Sequence, residues 1–202
     1  MIFNNIFYTI PREKVLLRLQ FNKKKTKLVG HVKQLIDSMI DEGNVLAQPQ
    51  AIVEDFTIKE LARSRVVLSG KNFSLAGEHI TRHVDGCYKV SLMVCTVGSQ
   101  FAGAVEGLVD QRELTKAAIL DAVASEAVDA VADAITKIIR QNAENEGADI
   151  TLRFSPGYGD WDIQEQKPLL EVMEAYKIGV RLTNSFLMFP EKSITACVGW
   201  RK

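Results

Sequence analysis

Residues 88–98 read Tyr-Lys-Val-Ser-Leu-Met-Val-Cys-Thr-Val-Gly. Apolar side chains fall on both faces of this run, so it predicts a strand covered on both sides, as in the middle of a sheet. Gly98 closes it. A short helix is expected over 100–110, and the longest helix starts at Thr115 and runs to about 144. The apolar stripe of that helix is rich in alanine: Ala118, Ile119, Ala122, Val123, Ala127, Ala130, Val131, Ala134, Ile135, Ile138 and Ile139. Small side chains on a stripe let a neighbouring element pack closely.

Upstream, residues 2–8 read as a short strand. Pro11 suits the first turn of a helix carrying Val15, Leu16 and Leu19. Residues 27–42 form an amphipathic pattern (Leu28, Val29, Val32, Leu35, Ile36, Met39, Ile40), with Gly43 as its stop. Lys23–Lys25 read as a solvated loop. AIVEDFTI (51–58) and RVVLSG (65–70) read as strands, and 74–83 as a helix. Downstream, 149–155 is an expected strand and 164–176 a helix ended by Gly179. The runs NSFLMF and SITACVGW read as a hairpin joined by Pro190, Glu191 and Lys192. Strands and helices mix without strict alternation. The expected class is α+β: a mainly antiparallel twisted sheet with packed helices and one long central helix. A doubly wound parallel fold is the alternative.

The chain has 202 residues, with 25 Lys+Arg against 25 Asp+Glu and 47% hydrophobic residues. That composition excludes a disordered or collagen-like chain. The charge balance argues against a nucleic-acid partner. Arg12, Glu13 and Lys14 interrupt the apolar start, and charges cut the long helix, so neither an export signal nor a membrane span is expected. Cys87, Cys95 and Cys197 lack paired spacing and read as free core thiols, consistent with a cytoplasmic protein. At this length one domain or two tightly merged lobes are expected.

Dinucleotide, P-loop and nucleophile-elbow patterns are absent from the sequence. His79 and His83 stand four residues apart without a third ligand, which reads as a solvated helix face. Neither a catalytic residue nor a metal site is assigned. Two features stand out. Arg153-Phe154-Ser155-Pro156-Gly157-Tyr158-Gly159-Asp160-Trp161 places an arginine before a turn with two glycines and two aromatics. Arg153 suits a carboxylate, and Tyr158 and Trp161 suit a ring or a sulfonium. The set fits a zwitterionic aromatic ligand, or else a rigid turn with its aromatics packed on the core. Glu126, on the apolar stripe, needs a partner, either a basic side chain or a ligand group.

The pattern Arg153, Pro156, Gly157, Tyr158, Lys167, Leu182, Thr183, Ser185, Phe186, Met188 and Pro190 resembles the activation domain of cobalamin-dependent methionine synthase, in its short stand-alone form. The resemblance is specific over 115–198 and diffuse over 1–114, and it implies a single module over 1–202 with an N-terminal lobe (1–95) and a groove-bearing lobe (96–202). It implies S-adenosylmethionine bound by Arg153, Ser155, Pro156, Gly157, Tyr158, Glu126 and Trp161. It also implies a partner that carries cobalamin, either a methionine synthase or a related corrinoid methyltransferase protein, and a flavodoxin- or ferredoxin-type reductant. The expected role is an accessory subunit for reductive methylation of the partner's corrinoid, without catalytic residues of its own. The alternative is a module that recognises the corrinoid protein and no longer binds S-adenosylmethionine. An independent methyltransferase acting on a small thiol ranks last.

Overall fold

The computed structural model describes residues 1–21, 30–71 and 73–202. Strand β5 (Lys89–Thr96) is the expected central strand. It pairs antiparallel with β2 (Gln50–Ala62) on one side and with β9 (Ser193–Arg201) on the other. Outward from β2 lie β3 (Arg65–Leu68) and β4 (Ser74–Ala76), and outward from β9 lies β6 (Asp149–Ile150). A short β1 (Ile2–Phe3) also pairs with β2. All pairings are antiparallel, so the structure is the expected α+β fold.

The two-residue period of β5 divides the core. Met93, Cys95 and Val97 face one layer, and Val90, Leu92 and Val94 face the other. The first layer holds α1 (Arg12–Arg18), α2 (Gly30–Leu46), α4 (Gln100–Asp110) and the long α5 (Leu114–Asn145). The second holds α3 (Glu78–His83), α6 (Gln166–Val172) and a 3-10 turn at Ala175–Ile178, and another 3-10 turn, Ile163–Glu165, leads into α6. Both layers draw residues from before and after residue 95.

Four local expectations are corrected. The helix expected to stop at Gly43 continues to Leu46, and Gly43 is buried inside it. A Cβ on Gly43 would run into Val123 Cγ1, so this glycine permits α2 to cross α5 closely and does not end a helix. Residues 74–76 form β4, and only 78–83 are helical. The helix expected over 164–176 is α6 flanked by the two 3-10 turns. The expected final hairpin does not form. Its first run pairs as β8 (Met188–Phe189) with β7 (Arg181–Leu182), while β9 enters the main sheet. Leu28, Val29 and Lys23–Lys25 lie outside the described residues.

Among the described residues no helix is long and apolar enough to cross a membrane. The three cysteines are free. Burial pushes the Cys95 thiol up to about 12.

Candidate functional site

Arg153 and the turn after it are held by contacts distant in sequence. Phe154 exchanges two backbone hydrogen bonds with Cys197 of β9 (Phe154 N to Cys197 O, 3.0 Å, and Cys197 N to Phe154 O, 2.8 Å). The Phe154 ring stacks on His83 at 5.1 Å and on Trp161 at 5.8 Å. His83 Nε2 also reaches the carbonyl of Leu152 at 2.8 Å. Farther along, the Asp160 carboxylate accepts the backbone N–H groups of Glu78 (2.9 Å) and His79 (2.8 Å). Those two donors at the start of α3 have no carbonyl within the helix to bond. The bonds hold the Asp160 carboxyl below the usual aspartate range, His79 N–H first among them. His79 and His83, which read as a solvated face, are thus the posts to which this loop is fastened.

Inside the loop, Gly157 N–H donates to Trp161 O at 2.7 Å. Gly157 and Gly159 have φ of +92° and +60°, a region other residues enter at a cost. A Cβ on Gly159 would lie 2.7 Å from His79 Nδ1. Both glycines are therefore demanded by the turn. The loop's two aromatics part company: Trp161 is 1% exposed in the second core layer, and Tyr158 is 67% exposed.

Arg153, Phe154, Ser155, Pro156 and Tyr158 line an open groove of about 610 Å³. Val128, Asp129 and Ser125 of α5 also line it, as do Glu191, Lys192 and the first three residues of β9. Gln166 and Met188 complete this part of the lining. The volume suits a small-molecule ligand. Of the residues expected to bind, the structure brings Arg153, Ser155, Pro156 and Tyr158 to the groove wall. Gly157, Trp161 and Glu126 are not on it: Gly157 shapes the turn, Trp161 packs beneath it, and Glu126 is engaged by another side chain.

That side chain is Arg18 of α1, whose Nε donates to Glu126 Oε1 at 2.6 Å. Glu126 is 5% exposed, so this pair answers the need noted in the sequence. Arg18 Nη2 reaches Asp129 Oδ2 at 3.3 Å, and Arg18 itself lines the groove. Burial, then the neighbouring Glu126, push the Asp129 carboxyl above the usual aspartate range, against the pull of Arg153 and Arg18. One turn along α5, Asp133 Oδ1 bonds Arg153 Nη2 at 2.9 Å, and Asp133 Oδ2 meets Lys14 at 3.2 Å. At the other end Lys192 is fixed by Asp121 (2.6 Å) and Ser125 (3.0 Å). One acidic face of α5 therefore holds every cation that lines the groove.

Not every polar atom is satisfied. Among the described residues, four buried side-chain atoms have no hydrogen-bond partner, and three of them are Arg153 Nη1, Trp161 Nε1 and Gln166 Oε1. Unpartnered buried polar atoms are uncommon in native proteins. Here three fall in one short segment around the groove. Gln166 and Arg18 carry no sequence signal of a site. The first sits in a polar run, and the second is 108 residues from its partner.

A family model for the activation domain of vitamin B12 dependent methionine synthase matches residues 39–201. The chain belongs to this family. In structure, it is similar to the crystal structure of the MetH reactivation domain bound to AdoHcy. The TM-score is 0.69 at 14% identity, over 98% of this chain and 78% of that one. At that identity the likeness concerns the fold. No curated protein matches by sequence. The family match begins after α1, so Arg18 and Lys14, which fasten the acidic face of α5, come from outside the matched region.

Proposed function

We propose that this activation-domain member binds S-adenosylmethionine in the groove beside Arg153. It would act as an accessory subunit in reductive methylation of the corrinoid carried by a separate cobalamin-dependent methionine synthase or related methyltransferase. The observation that carries the ligand claim is the guanidinium of Arg153. Asp133 anchors its Nη2, and its Nη1 is buried without a partner beside the groove. A carboxylate is the natural complement of such a donor. Tyr158 offers a flat face at the rim for the adenosyl end or the sulfonium.

The transfer of the methyl group from the sulfonium to the reduced corrinoid is chemistry supplied by the two bound small molecules. The residues of this chain bind and orient the donor, which lowers the barrier by positioning. The corrinoid protein would cover the open groove, and a flavodoxin- or ferredoxin-type protein would supply the electron. Residues 1–202 would then act as one module, in the cytoplasm.

The test is calorimetric titration of S-adenosylmethionine into wild type and Arg153→Ala. Wild type is expected to bind, and the variant to lose about ten-fold or more in affinity, as for a charged hydrogen bond. No heat from wild type up to millimolar ligand would remove the binding claim. A second reading has its own support. Glu126, which the resemblance gives to the ligand, is held by Arg18. If the groove binds no ligand, the chain is an interaction module, and it co-purifies with the corrinoid protein even as Arg153→Ala.

A further inference from the structure

We infer that Gln166 is a specificity-determining residue of this groove and accepts a hydrogen bond from the ammonium group of the ligand's amino-acid end. The inference rests on the proposed binding of S-adenosylmethionine and names the half of the zwitterion that Arg153 leaves unanswered.

Gln166 is the first residue of α6 and is 6% exposed, yet it lines the groove. Its Oε1 is buried with no hydrogen-bond partner among the described residues. A carbonyl oxygen withdrawn from water without a donor costs free energy. A ligand that brings a donor recovers that cost on binding. Arg153, on the same groove, presents the complementary deficit: a buried N–H donor without an acceptor. A free α-amino acid end carries one anionic acceptor and one cationic donor on the same carbon, so a single ligand group answers both. Four acids of α5 near the groove are already committed, and the groove's other acid, Glu191, is exposed. Glu126 and Asp129 bond Arg18, Asp133 bonds Arg153, and Asp121 bonds Lys192. Among the described residues, the Gln166 oxygen is then the buried side-chain acceptor left without a donor, and an ammonium would supply one.

Three ligands separate this role from its neighbours. S-adenosylmethionine has both charged groups, its decarboxylated form keeps only the amine, and 5′-methylthioadenosine has neither. Gln166→Met is expected to weaken S-adenosylmethionine and its decarboxylated form by roughly ten-fold each, the scale of a hydrogen bond to a charged group. It should leave 5′-methylthioadenosine unchanged. Gln166→Glu, which keeps the acceptor and adds charge, should bind the two amines at least as well as wild type.

Equal weakening of all three ligands by Gln166→Met would overturn the inference, because it would signify a structural role or a contact with the adenine. So would weakening of S-adenosylmethionine alone, which would place the amide on the carboxylate. Unchanged affinity for all three would also overturn it. Wild type that binds none of them would defeat the proposed function itself, a result distinct from each of these.

Discussion

Glu126 and Gln166 are two polar side chains buried almost equally, at 5% and 6% exposed. Glu126 is answered from within by Arg18 at 2.6 Å, and Gln166 ends in an oxygen that meets no donor among the described residues. The contrast extends to their surroundings. Along α5, Asp121, Glu126, Asp129 and Asp133 all have basic partners. In the segment 153–166, three buried atoms have none. The acidic face of α5 is answered by basic side chains, and the segment 153–166 is left with valences to fill. Stability belongs with the helix face, and the proposed recognition with the segment.

The largest effect should come from unpairing the acidic face of α5. Arg18→Met strands Glu126 in the core and is expected to cost about 3 kcal/mol in urea denaturation, the scale for removing one partner of a buried pair. Adding Glu126→Met should restore most of that loss. A single variant as stable as wild type would erase the distinction between the two regions. Next, Gly159→Ala forces a side chain into a left-handed turn and against His79. A loss of about 2 kcal/mol is expected, and faster amide exchange at Glu78 and His79 would show the loop leaving α3. By contrast, Gln166→Met removes an acceptor that bonds nothing. Its change in stability should stay within about 1 kcal/mol, and a larger loss would show that the amide serves the fold.

The smallest effect lies in the pH dependence, where two aspartates act in opposite directions. Asp160 is held below the usual aspartate range by the N–H groups of His79 and Glu78. Its stabilisation is present above that range and is lost as pH falls through its depressed folded value. Asp129 is pushed up, chiefly by burial. The folded state therefore takes its proton first, and stability falls as pH rises from the ordinary value through the raised one. Acid unfolding of Asp160→Asn should show a shallower loss than wild type. Asp129→Asn should show a steeper one, since the opposing contribution is gone.

Much of this was legible in the sequence, for local reasons. The run 88–98 is apolar on both faces because β5 is covered on both faces. The alanine-rich stripe of α5 marks close packing, and the segment 153–161 contains the groove arginine. What escaped is non-local. Nothing in SITACVGW tells that it leaves the adjacent turn to pair with a strand about a hundred residues away. Gly43 carries the composition of a helix stop and performs as a close crossing, which depends on Val123 of another helix. A lone polar residue such as Gln166 has no periodicity to betray it, and the need of Glu126 for a base did not say which base. Trp161 and Tyr158 had equal claims as ligand faces until the turn geometry sent one inward.

The bridge between Phe154 and Cys197 has a temporal consequence. The groove's arginine is positioned by a strand that occupies residues 193–201, so during synthesis the segment 153–161 leaves the ribosome well before its support does. Pairings between sites so far apart in sequence form slowly. A nascent chain stopped short of β9 would display Arg153, Tyr158 and Trp161 without the frame that separates their roles. Competence to hold a ligand should thus appear in one late step, when the last strand slides into place beside β5.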